Sequence, residues 1–369
     1  MNQDTAIKSK RLLSLDVLRG LTVFGMILVN NGGGKEHFEM LKHCKWNGMT
    51  PCDLVFPFFL FMVGVSIYLS LSKQKALAGM PCENRNKILL KILKRTCILF
   101  FIGVALHAWD MIIWGETDIL PHLRITGVLQ RIALCYGITS VILLYCDIKR
   151  IWQIALGLLI IYSGFLIWAN GYATDETNIA NLIDKAIIGE AHLYHKGPID
   201  PEGLFGVIPS ISHTMIGVLI GKIILSKDAL EKRLLKILTW SFILLVAAYL
   251  LQFGLPLNKR VWSPSYVFAS CGLASGLLAI FTIIIDMKGY QKWCRIFQMF
   301  GMNAFGLYTI SEMIPSVFGK LGVSEALWSG IRTTIPSECW ASLVYALCFD
   351  AIMAFIAWIL WKKKIFIKI

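Results

Sequence analysis

Residues 43–72 read HCKWNGMTPCDLVFPFFLFMVGVSIYLSLS. A polar string carrying His43, Trp46, Asn47 and Asp53 runs into an apolar stretch with no charge after Asp53. An apolar run near 20 residues is long enough to cross about 30 Å of hydrocarbon as a helix. Such runs recur from one end of the chain to the other. The 369 residues are 56% hydrophobic and 16% charged, with a mean hydropathy of +0.65. Soluble domains carry roughly 25% charged residues. The expected fold is therefore all-α, a polytopic helix bundle in a lipid bilayer, with residues 1–369 forming one transmembrane domain.

Ten spans are expected, near 14–31, 54–72, 92–109, 125–146, 151–169, 205–225, 235–254, 266–286, 296–315 and 339–361. The charges test this count. With the N-terminus in the cytoplasm, 24 of the 36 Lys and Arg residues fall in cytoplasmic segments, 10 fall opposite, and Arg19 and Arg131 fall within spans. That bias is the positive-inside pattern, and with both termini inside it supports an even number of spans. It also accounts for the net charge of +13 without nucleic acid, because the basic residues sit in short loops between spans. Lys8, Lys10 and Arg11 precede the first span, and no small-residue cleavage site follows it, so a cleaved signal peptide is not expected. No Cys-x-x-Cys pair or Cys/His metal spacing occurs, so no metal is expected. Cys44 and Cys52 flank the motif loop, and their pairing is left open.

On this topology His43 lies on the outer side. So does the longest polar loop, about 170–204, with His192, His195 and most of the string IDPEGLFG. Residues 182–195 have helical spacing, and residues 319–334 are too polar to span and are placed along the outer surface. No internal repeat is visible, which counts against transporter folds built from two related halves.

Charged groups inside spans are costly and face a partner or a cavity. Asp16 and Arg19 are three apart in SLDVLRG, on one helix face, and can pair. Gln130 and Arg131 enter the fourth span. Arg131 needs an anion there, either Asp16, Glu312 or an anionic ligand. His107 ends the third span. His213 sits mid-span among Ser210, Ser212 and Thr214, where packing is the commoner role. Asn303 and Glu312 are nine apart on a similar face. For His43 the neighbours argue against an idle loop residue. Trp46, Asn47 and Asp53 would order the loop, Pro51 and Pro57 would fix its entry to the span, and the preceding VNNGGG allows close backbone approach of a ligand.

Several ordered strings, SLDVLRG, VNNGGGK, KHCKWNGMTPCDLVFPFFLFMVG, GVLQRIALCY, IDPEGLFG with GVLIGK, PLNKRVWSPSYV and GMNAFGLY, together resemble the heparan-α-glucosaminide N-acetyltransferase family of transmembrane acyltransferases. The resemblance covers nearly the whole chain. It implies transfer of an acetyl group from cytosolic acetyl-CoA to the amine of a glucosamine or glucosaminide on the far side of the membrane. The histidine of the KHxxWNG motif is the family's proposed catalytic residue, which is His43 here. The resemblance also implies that the asparagine before the glycine run lies in the active centre. Asn30 is the best match, although this chain is about two residues longer between the two motifs, so Asn31 stays open. Compared with the animal members, the sequence carries no counterpart of their large N-terminal luminal domain or extra first span, and features tied to those parts are not carried over. The family also suggests a homodimer.

The chemistry fits these residues. Arg19, Gln130, Arg131 and Asn303 are expected to contact acetyl-CoA along a polar route through the bundle. Trp46, Asn47 and Glu312 are expected at the acceptor. His43 acts as general base or as an acetyl carrier, Asn30 stabilises the oxyanion, and Asp53 either orients His43 or caps the second span. The competing readings are an amino-sugar transporter and an acyltransferase for another cell-surface glycan. The expected location is a bacterial inner membrane.

Overall fold

The computed structural model describes residues 12–72, 82–194 and 199–367. Lys8, Lys10, Arg11 and His195 lie outside them. The described residues form helices and no strands. In chain order the helices are α1 (Leu13–Asn30), α2 (Val55–Ser72), α3 (Cys82–Trp114), α4 (Ile119–His122), α5 (Val128–Tyr145), α6 (Ile151–Trp168), α7 (Ile179–Ile188), α8 (Val207–Ile224), α9 (Leu230–Leu251), α10 (Pro264–Phe281), α11 (Arg295–Met302), α12 (Ala304–Lys320), α13 (Val323–Thr334) and α14 (Glu338–Lys362). Nine of the described helical segments are long and apolar enough to cross a membrane.

The span expected at 296–315 is divided. It breaks at Asn303 into α11 and the 17-residue α12. Asparagine is a weak helix former, and here its side chain is used elsewhere. Asn303 Nδ2 donates to the Ile365 carbonyl at 3.1 Å, and Oδ1 accepts from Ile367 N at 3.0 Å. The break is thus held by the far end of the chain.

Even so, α12 runs the length of the bundle. Asn303, at its start, meets the C-terminal segment, whereas Glu312 sits beside Asn30 at the end of α1. At about 1.5 Å per residue, its 17 residues reach about 25 Å. The first turn of α1 lies at the same end as Asn303, because Ser14 bonds Thr282 and Asp286 just after α10, and the Asp16 carbonyl lies against Gly301. The described N- and C-terminal segments therefore share one end of the bundle, and His43 sits at the other. Ten spans were expected, and nine described segments are long and apolar enough to cross, with the 17-residue α12 outside that set.

α8 is the most enclosed of the long helices, packed among α2, α5, α6 and α10. It approaches α2 so closely that a Cβ on Gly64 would lie 1.9 Å from the Thr214 carbonyl oxygen. Small residues at such crossings are how membrane helices gain contact when lipid offers no hydrophobic drive. Ser210 and Thr214 return their hydroxyls to carbonyls one turn back, at 2.7 and 3.0 Å. His213 is fully buried and packs on Trp262, with ring centroids 5.9 Å apart. The rim helices α3, α6 and α9 turn Phe101, Ile160 and Phe242 outward, where a bilayer would cover them. α13 has no buried residue, and α7 forms within the long polar loop at Ile179–Ile188, earlier than the 182–195 expected from spacing, because Gly189 ends it.

The glycine run has a different reason from the one its sequence suggests. Cβ atoms on Gly33 and Gly34 would each come within 2.4 Å of the Trp328 ring. The run is small because α13 lays an indole on it, and no ligand is needed to explain it.

Candidate active site

His43 lies on the segment between α1 and α2, and the turn Pro51–Leu54 presents Asp53 to it. Thr50 caps that turn, with Asp53 bonded back to it. Asp53 Oδ2 accepts from the backbone N–H of Cys44 and of Thr50, both at 3.1 Å, while the Thr50 hydroxyl donates to the Lys42 carbonyl at 2.7 Å. That leaves Oδ1 for His43 Nδ1, at 2.7 Å. The side chain of Asp53 is 1% exposed and that of His43 is 52%. A buried carboxylate thus holds an open imidazole. The short contact places the proton on Nδ1 and leaves Nε2 as the acceptor. Asp53 both orients His43 and caps the turn.

Lys259 completes the group. Its Nζ rests against the imidazole, 3.1 Å from Nδ1 and 3.5 Å from Nε2, and 3.5 Å from Asp53 Oδ1. It supplies the counter-charge to Asp53. Cys52 Sγ lies 3.1 Å from Nδ1. Cys44 turns instead to the Asn47 carbonyl at 3.0 Å, and the two cysteines stand as separate thiols.

Trp46 and Asn47 act as fastenings. Trp46 Nε1 donates to the Tyr172 carbonyl at 3.2 Å. Asn47 Oδ1 accepts from Asn258 Nδ2 at 3.1 Å, and Gly48 N donates to the Leu257 carbonyl at 2.7 Å. These bonds tie the histidine loop to the 256–263 loop that carries Lys259.

A cavity of about 220 Å³ opens on this group. Asn30, His107, Arg124, Glu202, Lys259 and Glu312 line it together with His43. Asn31 turns back to the Ile27 carbonyl at 2.9 Å, so of the two asparagines Asn30 faces the cavity. A second cavity of about 380 Å³ continues toward the other end, past Met26, Phe59, Val128 and Tyr308, which line both. Arg19, Ser66, Ser70, Arg95 and Tyr136 line its far part. Arg19 bonds Ser66 at 2.9 Å and pairs with Asp16 at 3.5 Å, as the spacing predicts. A side cavity of about 250 Å³ joins at His107, Tyr308 and Glu312 and reaches Asp110 and Gln130.

Two residues expected at a cofactor stand elsewhere. Asn303 is bonded to the C-terminal segment, as described above. Arg131 is buried and lines none of the three cavities. Neither Asp16 nor Glu312 is its partner. Its Nη2 donates to the Gly203 carbonyl at 2.7 Å, and its guanidinium lies 5.2 Å from the centroid of the Trp262 ring. Trp262 has a positive φ of 51°, a strained conformation for an aromatic residue. Arg131 thus braces the loop that carries Lys259. Gln130 does line a cavity, the side one.

The IDPEGLFG loop supplies residues the sequence reading did not single out. Arg124 Nη2 donates to Asp200 Oδ1 at 2.7 Å and to Glu202 Oε2 at 2.9 Å, and the Thr126 hydroxyl bonds Asp200 Oδ2. Burial pushes the Asp200 carboxyl up, but Arg124 and Thr126 outweigh it and hold it below the ordinary carboxylate range. His107 Nδ1 lies 2.8 Å from the Arg124 carbonyl, which fixes its proton there.

Asp184 on α7 clasps the same loop. Its Oδ1 accepts from Phe205 N at 2.9 Å, and Gly203 leaves no room for a Cβ beside Oδ2. Burial pushes this carboxyl up to about 6, against the pull of the Phe205 N–H and Arg131. The unfolded value is about 3.9, so the folded state binds the proton more tightly. That contribution to stability is complete below about pH 4 and is lost as the pH rises through about 6. Asp184→Asn is expected to remove this component. Thermal unfolding of both proteins from pH 4 to 8 checks it, and equal slopes would refute it.

The family described as heparan-alpha-glucosaminide N-acetyltransferase, catalytic, matches residues 11–250. Heparan-alpha-glucosaminide N-acetyltransferase of Homo sapiens is 30% identical, over 97% of this chain and 60% of its own length. The Mus musculus protein of the same name is 29% identical, over 98% of this chain and 61% of its own. The chain spans about three-fifths of the length of these relatives. With the match extending over well over half of its residues, the chain belongs to the heparan-alpha-glucosaminide N-acetyltransferase catalytic family.

Proposed function

We propose that this protein transfers an acetyl group from cytosolic acetyl-CoA, through the membrane, to the amine of a glucosamine or glucosaminide on the opposite side. The observation that carries this reading is the run of cavities from Arg19 and Arg95 to His43 and Asn30. Acetyl-CoA is multiply charged and cannot cross lipid, whereas its slender pantetheine arm can enter a bundle. Arg19 and Arg95 at the wide end suit the phosphates. The waist at Met26, Phe59, Val128 and Tyr308 suits the arm. The excess of Lys and Arg at the wide end supports a cytoplasmic placement in a bacterial inner membrane.

The chemistry follows from the proton positions. The acceptor amine attacks the thioester carbonyl, and His43 Nε2 takes the amine proton as the C–N bond forms. The Asn30 amide and the Lys259 ammonium are the N–H donors available to the oxyanion. Collapse breaks the C–S bond, and the imidazolium returns the proton to the departing CoA thiolate. Asp53 stabilises the imidazolium without taking the proton, and Lys259 balances Asp53 once the imidazole is neutral again. Three cavities meeting at Tyr308 favour a ternary complex over an acetyl-histidine, since donor and acceptor can be present together.

The same cavities also suit an amino-sugar transporter, and one experiment separates the two. Purified protein in lipid discs is given acetyl-CoA with a panel of amino sugars, and free CoA thiol is followed. CoA release that requires both acetyl-CoA and an amine is expected. No release across the panel, together with acetyl-CoA-independent sugar uptake in vesicles, would overturn the reading in favour of transport.

A further inference from the structure

Beyond α14 the chain turns back on the bundle. Lys364 N donates to the Trp361 carbonyl at 3.1 Å, and Ile365 N to the Leu360 carbonyl at 2.9 Å. Between those two bonds Lys364 takes a φ of 54°, a left-handed turn that helix ends commonly give to glycine. The turn carries residues 365–367 away from the α14 axis and onto the break between α11 and α12.

One side chain holds them there. Asn303 Nδ2 donates to the Ile365 carbonyl at 3.1 Å, and its Oδ1 accepts from Ile367 N at 3.0 Å. An amide carries a donor and an acceptor side by side, so it can bond the backbone of a passing segment at both places. Asn303 is 1% exposed, so losing the segment would leave that amide unpaired in the protein interior. The latch sets the position of Ile367. Gly306, three residues further along, has no room for a side chain, because a Cβ there would lie 2.6 Å from Ile367 Cδ1 and 3.4 Å from its Cβ.

Ile367 also lines the wide cavity, together with Arg19, Arg95, Met302 and Phe305. Residues 365–367 are thus a strap that forms part of the cavity wall. Ile365, Phe366 and Ile367 are nonetheless exposed. A segment with few buried contacts opens readily, and the lids of binding sites are drawn from such segments.

We infer that this strap is a closing wall of the donor cavity and that Asn303 is its positioning residue: released, the strap opens the cavity, and latched by Asn303 it packs Ile367 against the pantetheine arm. The inference rests on the acetyl-CoA reading of that cavity. Asn303, expected at the cofactor, acts on it through the strap without touching it.

The test reads position 367 directly. Ile367→Cys is made in the full chain in lipid discs, and maleimide labelling of that position is followed by peptide mass. At about ten times its Kd, acetyl-CoA is expected to slow labelling about tenfold, in proportion to the sites left empty. Adding Asn303→Ala should speed labelling of the free protein and remove most of the protection. Kinetics give a second readout. Asn303→Ala should raise KM for acetyl-CoA about tenfold, the scale of its lost hydrogen bonds, and leave kcat and the KM for the amine unchanged. A merely structural defect would lower kcat through loss of active protein and leave KM alone. Alanine at 303 also favours a continuous helix, so Ile367→Ala, which leaves the break as it is, is measured beside it with the same split expected. The double variant should be no weaker than the weaker single one, because both act through one strap. Equal labelling with and without acetyl-CoA, in a protein shown by calorimetry to bind it, would overturn the strap and leave the donor reading standing. A wild-type KM in both variants would do the same. Failure of the wild type to bind acetyl-CoA at all would remove the donor reading, and the strap's role with it.

Discussion

A His43→Ala protein is expected to fold, to bind CoA as the wild type does, and to have lost acetyl transfer by about 10²–10⁴-fold, the usual worth of a positioned general base. The fold should survive because little rests on the imidazole. Its side chain is half open to the cavity, and Asp53 keeps Thr50, the Cys44 amide and Lys259 when the ring is removed. CoA binding should survive because His43 does not line the wide cavity that carries Arg19 and Arg95. The measurement is thiol release at saturating acetyl-CoA and glucosamine, with CoA affinity determined on the same preparation. Transfer within a few-fold of wild type would remove His43 from the chemistry.

The second large effect is expected at Asp53. In an Asp53→Asn protein the carbonyl oxygen is drawn to the two backbone N–H donors of Cys44 and Thr50, which now sit on Oδ2. The amide NH₂ then faces His43 Nδ1. A donor there turns Nδ1 into the acceptor and moves the ring proton to Nε2, so the lone pair that should take the amine proton is lost. The imidazolium also loses its stabilising carboxylate, and Lys259 loses its counter-charge. Wrong-tautomer substitution in a catalytic histidine–carboxylate pair costs on the order of 10⁴-fold in a well-studied hydrolase template, and a fall in kcat of about 10²–10⁴-fold is expected here. KM for acetyl-CoA should hold, and the double variant with His43→Ala should be no slower than His43→Ala alone. An unchanged kcat would leave Asp53 as a turn cap and nothing more.

The candidate site was legible in the sequence where it is local. Asn30, His43 and Asp53 fall within 24 consecutive residues, and the segment joining two adjacent spans must bring them to one end of the bundle. The Arg19–Asp16 pair was legible because the two residues are three apart on one helix face. The misreadings share a cause. Arg131 looked like a ligand contact because its partners, Gly203 and Trp262, lie 72 and 131 positions away and offer a carbonyl and a ring rather than an opposite charge. Asn303 looked like a polar residue facing a cavity until the backbone near Ile365 and Ile367 filled its bonding capacity. Lys259 and Glu202 sit in ordinary polar loops, and nothing in their own neighbourhoods says that they face His43.

Hydropathy determined that this chain is a helical membrane bundle, because each apolar run must satisfy its backbone hydrogen bonds within itself. Tertiary structure decided what those helices enclose. A cavity belongs to no single segment, and its lining is chosen by how helices far apart in sequence pack. Packing set Lys259 against the His43–Asp53 pair, turned Arg131 away from the path, broke the span at Asn303, and joined three chambers at Tyr308.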